Sequence, residues 1–308
     1  MGGDDAPRHV VDGALDAVRD VDLGIVLVGP VARLEDELRR HPGVDRRRVR
    51  LVDAPEVVTM DESPSAALRR KPGASIRIAA ETVARGEAAA LFSAGHTGAT
   101  VMASHAAFGM LPGVDRPALA ATIPTPRRPA VLLDVGASVE CRPQHLLQFA
   151  VMGSVYARVA LGIEAPRVGL LSIGEEATKG NELTRESHRL LKASLPLFIG
   201  NVEAREVYRG QADVIVCDGF TGNVALKFSE GLVELIEGLL SERLSVITDY
   251  AEYGGAPLLG VNRVAIVGHG RSSAKAVRNA VVLAHRFASD RLIARIAGDI
   301  AASVVPHS

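Results

Sequence analysis

The chain has 308 residues, 47% of them apolar and 23% charged, an ordinary globular balance that excludes a disordered or low-complexity protein. Thirty-five Lys and Arg against 36 Asp and Glu leave a net charge of −1, which argues against a dedicated nucleic-acid binder. Two cysteines, Cys141 and Cys217, cannot build a disulfide framework, and the longest uncharged run, Ala88–Val114, is broken by four glycines and a proline, too interrupted for a membrane span. The expectation is a cytoplasmic α/β protein without a leader. At ~150 residues per domain the length predicts one domain over residues 1–308, in two lobes with a cleft between them. The opening Met1-Gly2-Gly3-Asp4 reads as the loop that follows a strand, so either a strand lies upstream of Met1 or the sheet has lost one. Strands are then predicted at Leu23–Val28, Val49–Val52, Ala89–Phe92, Leu119–Ile123, Ala130–Val135, Val168–Ile173, Leu197–Ile199, Val214–Cys217 and Val264–Val267. Most are continuous apolar runs, as in strands covered on both faces. Helical patterns fall at Ser75–Arg85, Gln144–Leu161, Thr184–Ala193, Val224–Leu244 and Ser272–Ile296. Strand alternating with helix predicts a three-layer α/β/α fold around a largely parallel sheet. Leu111–Pro117 and Pro124–Pro129, rich in Pro and Gly, are the expected breaks between lobes.

Chemistry is sought where strands end. Gly95-His96-Thr97-Gly98 and Gly219-Phe220-Thr221-Gly222 repeat a G-x-T-G core, each between an apolar strand and a helix. Helix N-termini present free N–H groups to anions, and glycine lets a ligand approach the backbone. The plainer alternative is a β–α turn with a capping Thr and nothing bound. A third slot runs from Leu171 to Leu183 and holds Lys179 in a polar loop after a strand. That lysine reads either as the point charge for a phosphate or oxyanion, or as a solvated lysine beside two glutamates. Leu133-Asp134-Val135-Gly136-Ala137-Ser138 and Val267-Gly268-His269-Gly270-Arg271-Ser272 complete five strand-end loops, which together suggest a phosphate-handling cleft. Asn223, at a helix start, can orient phosphate or a carbonyl without adding charge. No nucleophile elbow, P-loop, dinucleotide fingerprint or H-E-x-x-H motif is present, and the nine histidines are scattered. No metal and no cofactor are expected. Cys217 ends an apolar strand as a small hydrophobe, and Cys141 has no evident base.

The blocks Met1–Pro7, Ser93–Ala99, Leu133–Ala137, Ile173–Glu176 with Lys179–Leu183, Cys217–Val224 and Tyr253–Asn262 resemble, in order, those of the PlsX-type phosphate acyltransferases of bacterial phospholipid synthesis. The resemblance implies a homodimeric fold related to phosphotransacetylases and isocitrate-dehydrogenase-like enzymes. It implies a reaction in which inorganic phosphate attacks the thioester of acyl-acyl carrier protein. Lys179 and Asn223 are the catalytic candidates. Asp4, Ser93, Gly95, His96, Thr97, Gly98, Asp134, Gly136, Glu175, Asn181, Asp218, Gly219, Thr221, Gly222 and His269 are the candidates for binding phosphate and substrate. The chain departs from the family where His96, Ser138 and Ser172 replace Asn, Arg142 replaces Lys and Arg263 replaces Gly. A phosphotransacylase acting on a coenzyme A thioester and an inactive acyl-binding paralogue are the rival readings. Arg46-Arg47-Arg48 with Arg50, and Arg69-Arg70-Lys71, are candidate contacts for an acidic carrier, or else solvated faces. The family also implies peripheral contact with the membrane and with a membrane glycerol-phosphate acyltransferase. Residues 232–250 carry four acids against Arg243, so weak lipid contact and packing on the protein's own fold or on a dimer partner are expected.

Overall fold

A computed structural model describes residues 1–239 and 254–303, which divide into two compact units. Unit one comprises Met1–Gly109 and Tyr250–Ser289; unit two comprises Met110–Asp249 and Asp290–Ser308. In chain order the elements are α1 (Arg8–Asp20), β1 (Ile25–Gly29), α2 (Val31–Arg39), β2 (Val49–Asp53), α3 (Pro64–Arg70), α4 (Ser75–Ala84), β3 (Ala90–Ser93) and α5 (Thr97–Phe108). They continue with β4 (Ala118–Ile123), β5 (Ala130–Leu133), α6 (Pro143–Leu161), β6 (Val168–Ser172), α7 (Glu182–Ser194), β7 (Phe198–Glu203), β8 (Val214–Val216) and α8 (Gly219–Leu239). The last four are β9 (Ala256–Leu259), β10 (Val264–Val267), α9 (Ala274–Ser289) and α10 (Leu292–Ser303).

In unit one β1 pairs with β2 in parallel, and β3 pairs in parallel with β10, whose other edge takes β9 antiparallel. Helices α1 and α9 pack together and reach β1 and β3, while α4 packs on α5 and on the same two strands. The core beneath α1 gathers Val11, Leu15, Leu27, Leu34 and Leu38. In unit two the strand order is β4-β5-β8-β6-β7, with only the β4–β5 pair antiparallel. Strands β5 and β8 are buried along their whole length, which their unbroken apolar sequences require. Gly153 of α6 lets that helix close on them: a Cβ there would stand 2.6 Å from Val214. The result is a mostly parallel α/β architecture with helices over the sheets.

Every predicted strand is present, with bounds moved by three residues or fewer at the strand starts. Strand β9 and helices α1, α2 and α3 were not predicted; β9 is only four residues long and carries Pro257, which reads as loop. The helix predicted over Ser272–Ile296 is two, α9 and α10. Arg291 between them adopts a φ of 54°, a left-handed geometry that ends the first and turns the chain. Helix α10 then docks on α6, where Arg158 pairs with Asp299. Pro124–Pro129 is no break between lobes but the turn of the β4–β5 hairpin, inside unit two. Residues 240–250 of the stretch expected to pack on the fold lie outside the described residues. In the described part of α8, Phe228 is 75% exposed and Leu235 59%, so these two side chains are not covered by the chain's own fold. At 1.5 Å per residue this helix is far longer than the three-residue β8 it follows, and its main contact with the sheet is at β5. Among the described residues no helix is long and apolar enough to cross a membrane.

Helices α1 and α9 cross at Gly13, where an added Cβ would lie 2.2 Å from the carbonyl of Ala274. Helix propensity alone would make Gly13→Ala stabilising by ~1 kcal/mol. Packing predicts the reverse, a loss of ~1–3 kcal/mol as the helices are forced apart. Urea denaturation decides, and a midpoint at or above that of the parent would refute the crossing.

Candidate functional site

Strands β5, β8 and β6 are adjacent and parallel, so the loops after them leave one edge of the unit-two sheet. The first loop is organised by Asp134, which is fully buried. Its Oδ1 accepts from the amides of Leu119 (2.8 Å), Gly136 (3.0 Å) and Ala137 (2.9 Å), and its Oδ2 from that of Ser138 (2.6 Å). Ser138 is buried too, its hydroxyl donating to the carbonyl of Pro117. Gly136 takes a φ of 133°, open to glycine, and the side chain of Asn223 lies directly over it, with Cγ 3.6 Å from where a Cβ would stand.

Helix α8 reaches this loop through glycines. The Gly219 amide donates to Ser138 O at 2.8 Å, and a Cβ on Gly222 would sit 1.9 Å from Asp134 O. Asp218 caps the helix: its carboxylate accepts from the Thr221 amide (2.9 Å) and hydroxyl (2.7 Å). Of the first three amides of α8 only that of Phe220 stays uncommitted among the described residues, so the second G-x-T-G copy is chiefly a capped turn locked to the neighbouring loop. The side-chain amide of Asn223 makes no hydrogen bond there and is the open polar group.

The loop after β6 carries Glu175, Lys179 and Asn181, all exposed. The Lys179 amide donates to Glu176 O, and the stem of Lys179 crosses Gly174, where a Cβ would meet its Cγ at 2.9 Å. Its ammonium has no ion pair among the described residues. Asn181 is the N-cap of α7, accepting from Thr184 N (2.9 Å) and Thr184 Oγ1 (2.6 Å). The loop is braced from β7: Asn201 donates to Glu176 O at 2.9 Å and meets buried His188 at 2.9 Å. Neither Asn201 nor His188 was predicted, because a brace from a distant strand leaves no local sequence signal.

The remaining candidates belong to unit one and cluster at the carboxyl ends of β3 and β10. Ser93 Oγ accepts from the Gly95 amide (3.3 Å) and the Thr100 hydroxyl (3.1 Å). Thr97, unlike Thr221, is exposed without a side-chain partner among the described residues, as is the ring of half-buried His96. Gly98 abuts Pro64 of α3. The Asp4 amide donates to Gly270 O at 2.9 Å, and His269 Nδ1 accepts from the Arg271 amide at 3.1 Å. Gly3 is held between two carbonyls: a Cβ would lie 3.0 Å from Ala94 O and 3.1 Å from Gly270 O. Asp4, Ser93, Gly95, His96, Thr97, Gly98 and His269 thus form one group, and Asp134, Gly136, Glu175, Lys179, Asn181, Asp218, Gly219, Thr221, Gly222 and Asn223 share the other sheet edge.

Neither cysteine is a ready nucleophile. Burial, with Asp134 and Asp218 adding to it, pushes the Cys141 thiol up to about 12, and burial raises fully enclosed Cys217 well above its ordinary value. Among the described residues no three His, Cys, Asp or Glu side chains are grouped to hold a metal ion.

The family described as "Fatty acid synthesis protein" matches residues 1–247 and 241–295. The chain is 48% identical over 324 positions to a phosphate acyltransferase of Nitratidesulfovibrio vulgaris (strain DP4), covering 98% of this chain and 94% of that one. It is 47% identical over 326 positions to a phosphate acyltransferase of Heliobacterium modesticaldum, covering 99% and 97%. Its fold matches a phosphotransacetylase from Streptococcus pyogenes with a TM-score of 0.68 at 17% identity, covering 92% of each chain. The EutD phosphotransacetylase from Staphylococcus aureus matches with a TM-score of 0.62 at 16% identity, again over 92% of each. The fold is phosphotransacetylase-like, and the chain belongs to the fatty acid synthesis protein family of PlsX-type phosphate acyltransferases, a family of acyltransferase enzymes.

Proposed function

We propose that this enzyme transfers a fatty acyl group from acyl-acyl carrier protein to inorganic phosphate for phospholipid synthesis. A phosphate oxygen attacks the thioester carbonyl carbon and forms the new C–O bond. The tetrahedral oxyanion then collapses, the C–S bond breaks, and the carrier thiolate leaves to take up a proton from solvent. Phosphate is its own nucleophile, so the protein has to hold an anion beside the carbonyl and stabilise the oxyanion. The observation that carries this reading is the pair of uncommitted polar groups on one sheet edge, the ammonium of Lys179, whose stem crosses Gly174, and the Asn223 amide over Gly136. In this reading Lys179 neutralises developing charge and Asn223 orients the carbonyl or the phosphate. Asp134 acts as a positioning residue, since its four accepted amides leave its carboxylate nothing to offer a ligand.

The arginines divide the carrier question. Arg46 pairs with Glu35, Arg47 with Asp45, Arg48 with the Val21 and Leu23 carbonyls, and Arg50 with Glu87, so that run is internally spent. Lys71 is tied to Glu62 and to Val57 O. Arg69 and Arg70 are exposed on α3 without a partner among the described residues, on the helix whose Pro64 touches Gly98. They are the carrier contact in this reading. The enzyme works as a cytoplasmic homodimer that passes acyl phosphate to a membrane glycerol-phosphate acyltransferase. Its own lipid contact is weak, because Glu234, Glu237, Glu242 and Asp249 oppose Arg243 alone.

Lys179→Ala should lower kcat by ~10²–10³ with the fold intact by circular dichroism; turnover within a few-fold of the parent would remove its role. Arg69→Glu with Arg70→Glu should raise KM for the acyl carrier protein substrate ~10-fold and leave kcat unchanged. A parent enzyme that prefers acyl-coenzyme A, indifferent to both substitutions, would establish the rival donor, and no turnover with either would establish an inactive paralogue. Crystals soaked in phosphate should show an anion within hydrogen-bond reach of Lys179 or Asn223 in unit two, and an anion bound at neither would contradict the reading.

Asp134 makes opposite predictions for stability and activity. Burial pushes its carboxyl up to about 6, against the four amides that favour the charged form. The folded state therefore holds the proton more tightly than the unfolded chain. Its contribution to stability is full below about pH 4 and is lost as pH rises through about 6. The four-amide grip needs the anion, so kcat should fall as pH drops through about 6. Asp134→Asn, with an NH2 group facing an amide, should remove that acid limb and cost ~1–3 kcal/mol of stability. An unchanged limb would show that another group titrates.

A further inference from the structure

Strand β7 carries an irregularity beside β6. Val168 of β6 pairs with Phe198, but the next residue, Gly169, pairs with Gly200, and Leu170 with Asn201, so Ile199 is an extra residue in β7. Bulges of this kind are rare in parallel pairs, and they re-aim the side chains that follow. Gly200, at a φ of 105°, supplies a backbone geometry that L side chains rarely adopt. In an unbroken strand Phe198 and Asn201, three residues apart, would point to opposite faces. Here both meet one ring. Phe198 packs edge-to-face on His188 of α7 with centroids 5.2 Å apart, and His188 Nδ1 lies 2.9 Å from Asn201 Oδ1.

The re-aimed Asn201 reaches the backbone that carries Lys179. Its Nδ2 donates to Glu176 O at 2.9 Å, and the same carbonyl accepts from the Lys179 amide at 2.9 Å. One acceptor therefore ties the backbone of the lysine to β7. With Nδ2 spent on that carbonyl, Oδ1 faces the ring, so His188 donates from Nδ1. The neutral Nδ1–H tautomer and the imidazolium both make this bond. It also keeps the Asn201 amide from turning its oxygen toward Glu176 O. On the other side of Lys179, Arg185 Nη1 donates to Gly180 O at 2.7 Å. A Cβ on Gly180 would collide with Thr184, which lies one turn before His188 on the same face of α7. Lys179 thus stands between two carbonyls held from α7 and β7, while its ammonium has no ion pair among the described residues. What fixes this lysine is its backbone.

We propose that Asn201, aimed by the bulge at Ile199 and held by His188, is a positioning residue that sets Lys179 for acyl transfer through the carbonyl of Glu176. The inference rests on the reading of Lys179 as the charge-stabilising group. Its physical basis is that an ammonium on a flexible stem is useful in catalysis only when the stem starts from a fixed point, and small misplacements of such a group are costly.

The test is a double-mutant cycle on the full chain, with kcat and KM for both substrates read on the parent, Asn201→Ala, Lys179→Ala and the double variant. Asn201→Ala should lower kcat ~10-fold in the parent, with little change in KM, and less than ~2-fold in the Lys179→Ala background, where no ammonium is left to position. Equal losses in the two backgrounds would show a general structural role and overturn the inference, as would full activity of Asn201→Ala. Lys179→Ala turning over like the parent would overturn the functional reading and this inference with it. A Lys179→Ala loss alongside an additive or silent Asn201→Ala would overturn this inference alone. Folding is checked by circular dichroism and melting temperature. Should Asn201→Ala not fold, His188→Leu frees the Asn201 amide to turn, and His188→Gln restores a donor to its Oδ1. The leucine variant should then lose kcat and the glutamine variant should recover it, and equal loss in the two would overturn the inference.

Discussion

Parallel pairing is the constraint on which the rest depends. Side by side in one direction, β5, β8 and β6 deliver three loops to the same sheet edge, and β3 with β10 delivers two more in unit one. A single antiparallel strand among β5, β8 and β6 would send one of those loops to the far edge. The fully buried strands β5, β8 and β10 cannot carry the polar chemistry themselves, since their side chains are Val, Leu, Ile and Ala. Reactive groups are therefore confined to the residues just past the strand ends, and glycine decides how closely those segments stack. Gly219 and Gly222 seat α8 on the Asp134 loop, and Gly3 seats the N-terminal turn on Ala94 and Gly270. Larger residues at these points would force the contacting segments apart.

Chemistry follows from which groups the packing leaves unspent. Asp134, Ser138, Asp218, Thr221 and Asn181 use their hydrogen-bonding capacity within the loops and helix caps. Lys179, Asn223, Thr97 and His96 do not. In the proposed function, an exposed ammonium and a neutral amide without side-chain partners among the described residues suit transfer to an anionic nucleophile. The site offers no acyl-accepting thiolate, because both cysteines are held protonated by burial. His96 places its imidazole at the N-cap of α5, beside Gly98.

Much of this was legible in the sequence because the strands are buried on both faces and read as unbroken apolar runs. Helices α1 and α2 also carry periodic apolar positions, yet their dense charges and short lengths masked them, and β9 was hidden by Pro257. The two G-x-T-G copies are the clearest lesson. They are alike in sequence, but Asp218 precedes one and closes it, while Ala94 precedes the other and leaves Thr97 open. The residue before the first glycine, rather than the shared core, carries the difference. Asp134 illustrates the same limit: a strand-end aspartate looks like a ligand until four amides from its own loop and from Leu119 are counted around it. Braces such as Asn201 to Glu176 O depend on chain segments 25 residues apart and leave no local pattern.

The central claim is that phosphate attacks the thioester directly, with the protein contributing charge and position and no covalent acyl carrier of its own. A single turnover in ¹⁸O-labelled phosphate, quenched and read by intact mass for the protein and by mass spectrometry for the product, tests it most directly. The account predicts acyl phosphate that retains all the label, bridging oxygen included, and a protein of unchanged mass at every time point. An acylated protein that forms and decays at the rate of turnover, or release of free fatty acid in place of acyl phosphate, would contradict it.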